Sequence, residues 1–184
     1  MSEVRSDENT RTTADGGMTS SGPTGSASTA ASVATLVGFV LVAQVAGLVG
    51  IPFTDRATGG WYDGLDRPWF NPPNWVFGPV WTALYLLIGV AAWRVWRHHE
   101  ATTRNTALTW WGIQLVLNAV WTPLFFGAQA PLVAFLEIRV LWVAIVVTVR
   151  EFRRIDGPAT VLMLPYLAWV SFATVLNGSI VWLN

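Results

Sequence analysis

A chain of 184 residues that is 53% hydrophobic and only 12% charged falls far short of the charged quarter found in ordinary soluble domains. Its eleven cationic residues, all Arg, balance eleven Asp plus Glu, and a net charge of zero excludes a basic nucleic-acid binder. The absence of Cys excludes disulfides, thiolate metal sites and a Cys nucleophile, and leaves an all-α integral membrane protein as the expected class.

Residues 1–32 depart from that average. They are rich in Ser, Thr, Gly and Ala, with no aromatic ring and no apolar period, so they cannot bury enough surface to offset the entropy of ordering. The mixed charges at Glu3, Arg5, Asp7 and Glu8 are not those of a signal peptide. The segment reads as a disordered tail, and 33–184 as the membrane domain.

Five stretches then reach the roughly 20 apolar residues that a bilayer core demands: 33–53, 74–96, 107–126, 131–149 and 158–183. Backbone groups in hydrocarbon must be paired within their own segment, so each is expected as a helix, with Pro79, Pro123 and Pro165 as tolerated kinks. Five is odd, so a symmetric inverted repeat is not available within the chain. Arg5, Arg11, Arg94, Arg97, Arg104, Arg150, Arg153 and Arg154 fall on the tail side, against Arg56 and Arg67 on the other. The positive-inside rule makes the tail cytoplasmic and the first loop external, in a cell membrane.

The later loops are short, but 54–73 is long and carries Trp61, Tyr62, Trp69 and Phe70 before ending in Asn-Pro-Pro. Such rings are also placed at headgroup depth for lipid reasons alone. A loop this long with so many of them is better read as a lid folded over a cavity. Polar residues within the spans point to the same cavity, because polar groups facing lipid are costly. Trp110, Gln114, Asn118 and Trp121 share a face of the third span, Tyr166, Trp169, Ala173 and Asn177 one of the fifth, and Trp81 and Tyr85 lie one turn apart on the second. Interhelical hydrogen bonds would explain the amides; a mostly apolar pocket with a few fixed polar points also explains the rings beside them.

The segment WYDGLDRPWFNPPNWVFGPVWTALY from Trp61, QLVLNAVWTPLFFG from Gln114 and PYLAWVSFATVLN from Pro165 resemble, in order, the three signature blocks of the TspO/MBR family, the tryptophan-rich sensory proteins related to the mitochondrial translocator protein. The resemblance implies a five-transmembrane-helix bundle, a homodimer, and an aromatic pocket beneath the first loop that takes tetrapyrroles. It places Tyr62, Trp81, Asn118 and Trp169 in that pocket, with Trp81 and Trp169 the pair implicated in porphyrin photochemistry. Tyr166, on the stripe of the fifth span, is a further ligand-binding candidate. The Tyr–Arg ending of the family's sterol motif is missing, since Gly178 follows Asn177 and no Arg comes after it.

No span contains His, and His98 and His99 sit at the cytoplasmic end of the second. A porphyrin or haem would therefore be held as a ligand by ring stacking, with Arg56 and Arg67 as candidate partners for its propionates; no cofactor or metal is required. Met163 and Tyr166 could serve as axial ligands but have ordinary packing roles. Glu137 and Arg139 are the ionisable residues within a span and point about 200° apart; the resemblance, with an acidic residue common at the position of Glu137, implies that Glu137 faces inward, which leaves Arg139 toward a neighbouring helix or subunit. Ala43 with Gly47, and Ala46 with Gly50, would allow close helix contact. Two functions follow: a membrane sensor or carrier that binds porphyrin-like compounds, which is favoured, or an enzyme that degrades bound porphyrin in light through Trp81 and Trp169. No catalytic triad, metal constellation or phosphate loop is present.

Overall fold

The computed structural model describes residues 24–57, 60–98 and 101–184, with side chains at 29–54, 60–98 and 102–184. The helices are α1 (Thr24–Leu48), α2 (Ile51–Ala57), α3 (Asn74–Trp96), α4 (Ala101–Thr122), α5 (Pro131–Arg153) and α6 (Gly157–Leu183). A 3-10 turn at Tyr62–Gly64 sits in the first loop, and a π turn at Pro123–Gly127 continues α4. No strand occurs among the described residues.

Proline and glycine set several of these boundaries. Pro131 and Pro158 stand in the first turns of α5 and α6, where a missing N–H costs nothing. Val49 and Gly50 break α1 from α2. Pro123 opens the π turn, closed by the Ala128 N–H donating to the Pro123 carbonyl at 2.8 Å. Gln129 then takes the left-handed conformation, φ 51°, that ends many helices.

Two expected boundaries are corrected. Residues 1–23 of the expected tail lie outside the described residues, but 24–32 are already helical. Their Ala content favours helix, and the Trp93 indole donates to the Ser32 carbonyl at 3.0 Å, which ties this turn to α3. Likewise α4 runs from Ala101 rather than 107, its polar first turns having hidden it from a hydropathy reading.

The polarity of the helices is that of a protein in lipid. Leu41, Val116, Val140 and Val175 are each more than half exposed, whereas Gln114, Asn118, Thr148 and Asn177 are buried. Water would favour the reverse. Among the described residues four helical stretches, Thr29–Thr54, Asn74–Trp96, Pro131–Arg153 and Gly157–Leu183, are long and apolar enough to cross a bilayer. The remaining long helix, α4, is less apolar because it carries Arg104, Asn105, Gln114 and Asn118.

The long helices pack in the cyclic order α1, α3, α6, α5, α4. α1 and α3 press together at Gly89, where an added Cβ would lie 2.8 Å from the Val40 Cα. The Phe39 ring meets Trp111 edge-on at 5.5 Å, which closes α4 onto α1. At the opposite end of α3 from the first loop, Arg94 Nε donates to Asp156 Oδ2 at 2.6 Å and Nη2 to Oδ1 at 3.3 Å, clamping α3 to the start of α6. The small residues of α1 and of the turn after it serve these internal contacts: Ala43 is fully buried, Gly47 abuts Tyr85 and Gly50 abuts Thr122.

Candidate ligand pocket

At the first-loop end of the bundle a cavity of about 320 Å³ opens between α1, α3, α4, α5 and α6, at the low end of the roughly 300–1,000 Å³ of small-molecule sites. Its wall is built from stacked rings. Trp81 lies on Tyr85, centroids 5.3 Å apart and planes at 26°, because one helical turn separates them. Trp121 lies on Phe125 at 5.1 Å and 21°. Trp169 is tilted on Phe172 at 5.5 Å and meets Phe77 edge-on at 5.8 Å.

Amides fix the rings. The Tyr85 hydroxyl donates to Asn118 Oδ1, and Asn118 Nδ2 donates to the Tyr166 hydroxyl at 3.1 Å. That chain joins α3, α4 and α6 across the interior. On the other side Trp121 Nε1 donates to Asn177 Oδ1 at 3.4 Å, and Asn177 Nδ2 to the Pro131 carbonyl at 3.1 Å. Trp169 Nε1 is buried and has no hydrogen-bond partner among the described residues. The Trp169 side chain lines the cavity, but this N–H is itself buried.

The first loop reaches the cavity through Tyr62, which is buried against Phe126 and Phe125 at 5.3 and 6.2 Å and donates its hydroxyl proton to Asn71 Oδ1 at 3.2 Å. Of the residues expected to bind ligand, Tyr62, Trp81, Asn118 and Trp169 all line the cavity. Tyr166 does not: it is fully buried behind the wall, edge-on to Trp81 at 6.2 Å, and acts on the site through Asn118. Arg67 is not part of the cavity wall either; it lies over the Tyr62 ring at 5.1 Å and 3.7 Å from Asp63. The Arg56 side chain lies outside the described residues. On α4, Trp111 rather than Trp110 is the buried indole, donating to the Ile88 carbonyl at 3.1 Å. Met163, fully buried, packs in the core and is not part of the cavity wall.

Contributions from α1 escaped the sequence reading. Gln44 and Gly47 line the cavity, and Gln44, the one amide in that span, was the available signal. Gln114 is fully buried with both amide atoms unpartnered among the described residues, as are both carboxylate oxygens of Glu137; Glu137 is turned inward as expected. Arg139 is exposed and lies over the Phe135 ring at 4.7 Å.

An all-helical membrane protein whose helices enclose an aromatic cavity is the class that this fold and site define. The TspO/MBR family model matches residues 39–183, and the chain belongs to the TspO/MBR family. It is 42% identical over 142 residues to the tryptophan-rich protein TspO of Chlorobaculum tepidum, covering 75% of this chain and 88% of that one. It is 41% identical over 124 residues to a tryptophan-rich sensory protein of Cereibacter sphaeroides, covering 67% and 77%. Against the translocator protein of Homo sapiens the identity is 35% over 143 residues, covering 77% and 85%.

Proposed function

We propose that this chain is a five-span membrane sensor or carrier that binds porphyrin-type tetrapyrroles in the aromatic cavity. In this reading α4 is the fifth span, the first loop is the lid, the N-terminus is cytoplasmic in a cell membrane, and two copies associate as a homodimer. The names borne by its relatives, sensory protein and translocator protein, agree with a sensing or carrying role.

The observation that carries the proposal is the wall of Trp81, Tyr85, Trp121 and Phe125, two stacked pairs facing one cavity. A flat macrocycle gains from such faces, and Trp169 adds a further indole to the same lining. The polar groups at the wall are few, which suits a ligand that is apolar over most of its area.

The alternative, light-dependent oxidation of bound porphyrin, is favoured by one feature: Trp81 and Trp169, two oxidisable indoles, line the same cavity. Titration of the purified chain with protoporphyrin in darkness and in light tests both readings. Saturable tryptophan quenching with the porphyrin recovered unchanged supports the binder. A bilin-like product that accumulates only in light establishes the enzyme, and no saturable quenching removes both.

A further inference from the structure

The cavity is not equally closed on all sides. Where α1 turns into α2 it is sealed against α4: an added Cβ at Gly50 would stand 2.8 Å from Thr122 Cγ2, and one at Gly127 2.7 Å from the Phe53 ring. Toward α3 the seam is tight only lower down, at Gly89 against Val40 and Gly47 against Tyr85. There Gln44 Nε2 donates across it to the Thr82 carbonyl at 3.1 Å. Beyond these contacts the packing is loose at Gly78. A Cβ at Gly78 would meet nothing within 4 Å, and Leu48, Ile51, Gly78 and Thr82 are exposed although they line the cavity. The cavity wall and the outer surface of the bundle coincide here, at positions within the apolar stretches Thr29–Thr54 and Asn74–Trp96.

Above the cavity the loop is held down. Asn184, beyond the last turn of α6, accepts from the Asp66 N–H at 3.1 Å and donates to the Asp66 carbonyl at 3.0 Å. That two-way bond ties the described part of the loop to the end of α6, with Tyr62 packed beneath.

We infer that the ligand enters sideways from the bilayer, through a mouth between α1 and α3 bounded by Leu48, Ile51, Gly78 and Thr82, and not past the first loop. The inference rests on the proposed binding reading and narrows it: the ligand is a compound that partitions into lipid before it binds. A mouth of Leu48, Ile51, a bare glycine and Thr82, whose hydroxyl already donates to the Gly78 carbonyl at 2.9 Å, sets no ionised side chain in the path of such a solute's apolar ring.

The test is stopped-flow quenching of tryptophan fluorescence, with the full chain in lipid nanodiscs and protoporphyrin supplied in neutral-lipid vesicles. Gly78→Leu projects a side chain into open space, so it narrows the mouth without crowding the core. It should slow association and dissociation alike, each about tenfold, with Kd nearly unchanged. Thr82→Phe, one turn along the same lip, should do the same and covers the case in which Gly78→Leu fails to fold. Asn184→Ala frees the loop and should leave both rates at wild-type values. Wild-type association in the folded mouth variants overturns the inference, as does faster association in Asn184→Ala or a weakened Kd at unchanged association rate. A wild-type chain that takes up no protoporphyrin overturns the binding reading itself, and the lateral route with it.

Discussion

Trp169 joins two properties that a substitution can separate. Its ring faces the cavity, and its N–H is buried without a partner among the described residues. Trp169→Phe keeps a flat apolar face and removes both the donor and the more readily oxidised ring. Protoporphyrin affinity should fall by about 1 kcal/mol, measured by fluorescence titration, and light-dependent product formation, if the wild type shows any, should collapse. Loss of all binding in a folded variant would show that the indole is more than a stacking face. Asn118 differs because both ends of its amide are engaged, by Tyr85 and Tyr166. Asn118→Leu strands two buried phenols and should lower thermal stability in detergent by about 1–3 kcal/mol, even without ligand. Much of this site was legible in the residues: amides and rings at helical spacing named Trp81, Asn118 and Trp169. Spacing could not separate Tyr166 from Trp169, because residues three apart lie within one broad face, and only the position of Trp81 puts one behind the other.

Among the elements, α3 runs over the residues expected from sequence, since Pro73 precedes it and an apolar run fills it. The starts of α1 and α4 were hidden because hydropathy reports burial in lipid, whereas Ala- and Thr-rich turns become helical by propensity and tertiary contact. Glycine marks where helices meet most closely. At Gly89 even one methyl group would meet the Val40 backbone, which cannot give way as a side-chain tip can. Gly89→Ala should therefore destabilise the fold by about 1–3 kcal/mol, read as a lower midpoint of thermal unfolding in detergent. Gly112→Ala is the control: its Cβ meets nothing within 4 Å, and it should be neutral or stabilising by up to about 1 kcal/mol. Equal losses at both positions would mean that the α1–α3 crossing is not set by Gly89.

For the whole molecule, the proposed orientation rests on Arg placement. With the tail cytoplasmic, protease added to intact cells should leave residues before α1 uncut and cleave, if anywhere, in the first loop. Cleavage of the tail in sealed cells would invert the topology. The clamp of Arg94 on Asp156 then lies on the cytoplasmic side, at the far end of the bundle from the cavity.

Sequence alone determined the helical membrane class, the approximate extents of the long helices and the aromatic and amide character of the interior. Hydropathy and a 3.6-residue period are local properties, readable one segment at a time. The tertiary structure decided how far each helix is rotated about its axis, and so whether Trp110 or Trp111 faces inward and whether Tyr166 touches the cavity. It also decided where neighbouring helices close and where they part. Rotation and tilt are set by packing against neighbours: Gly89 brings α1 onto α3 at one depth, and nothing fills the space beside Gly78 at another.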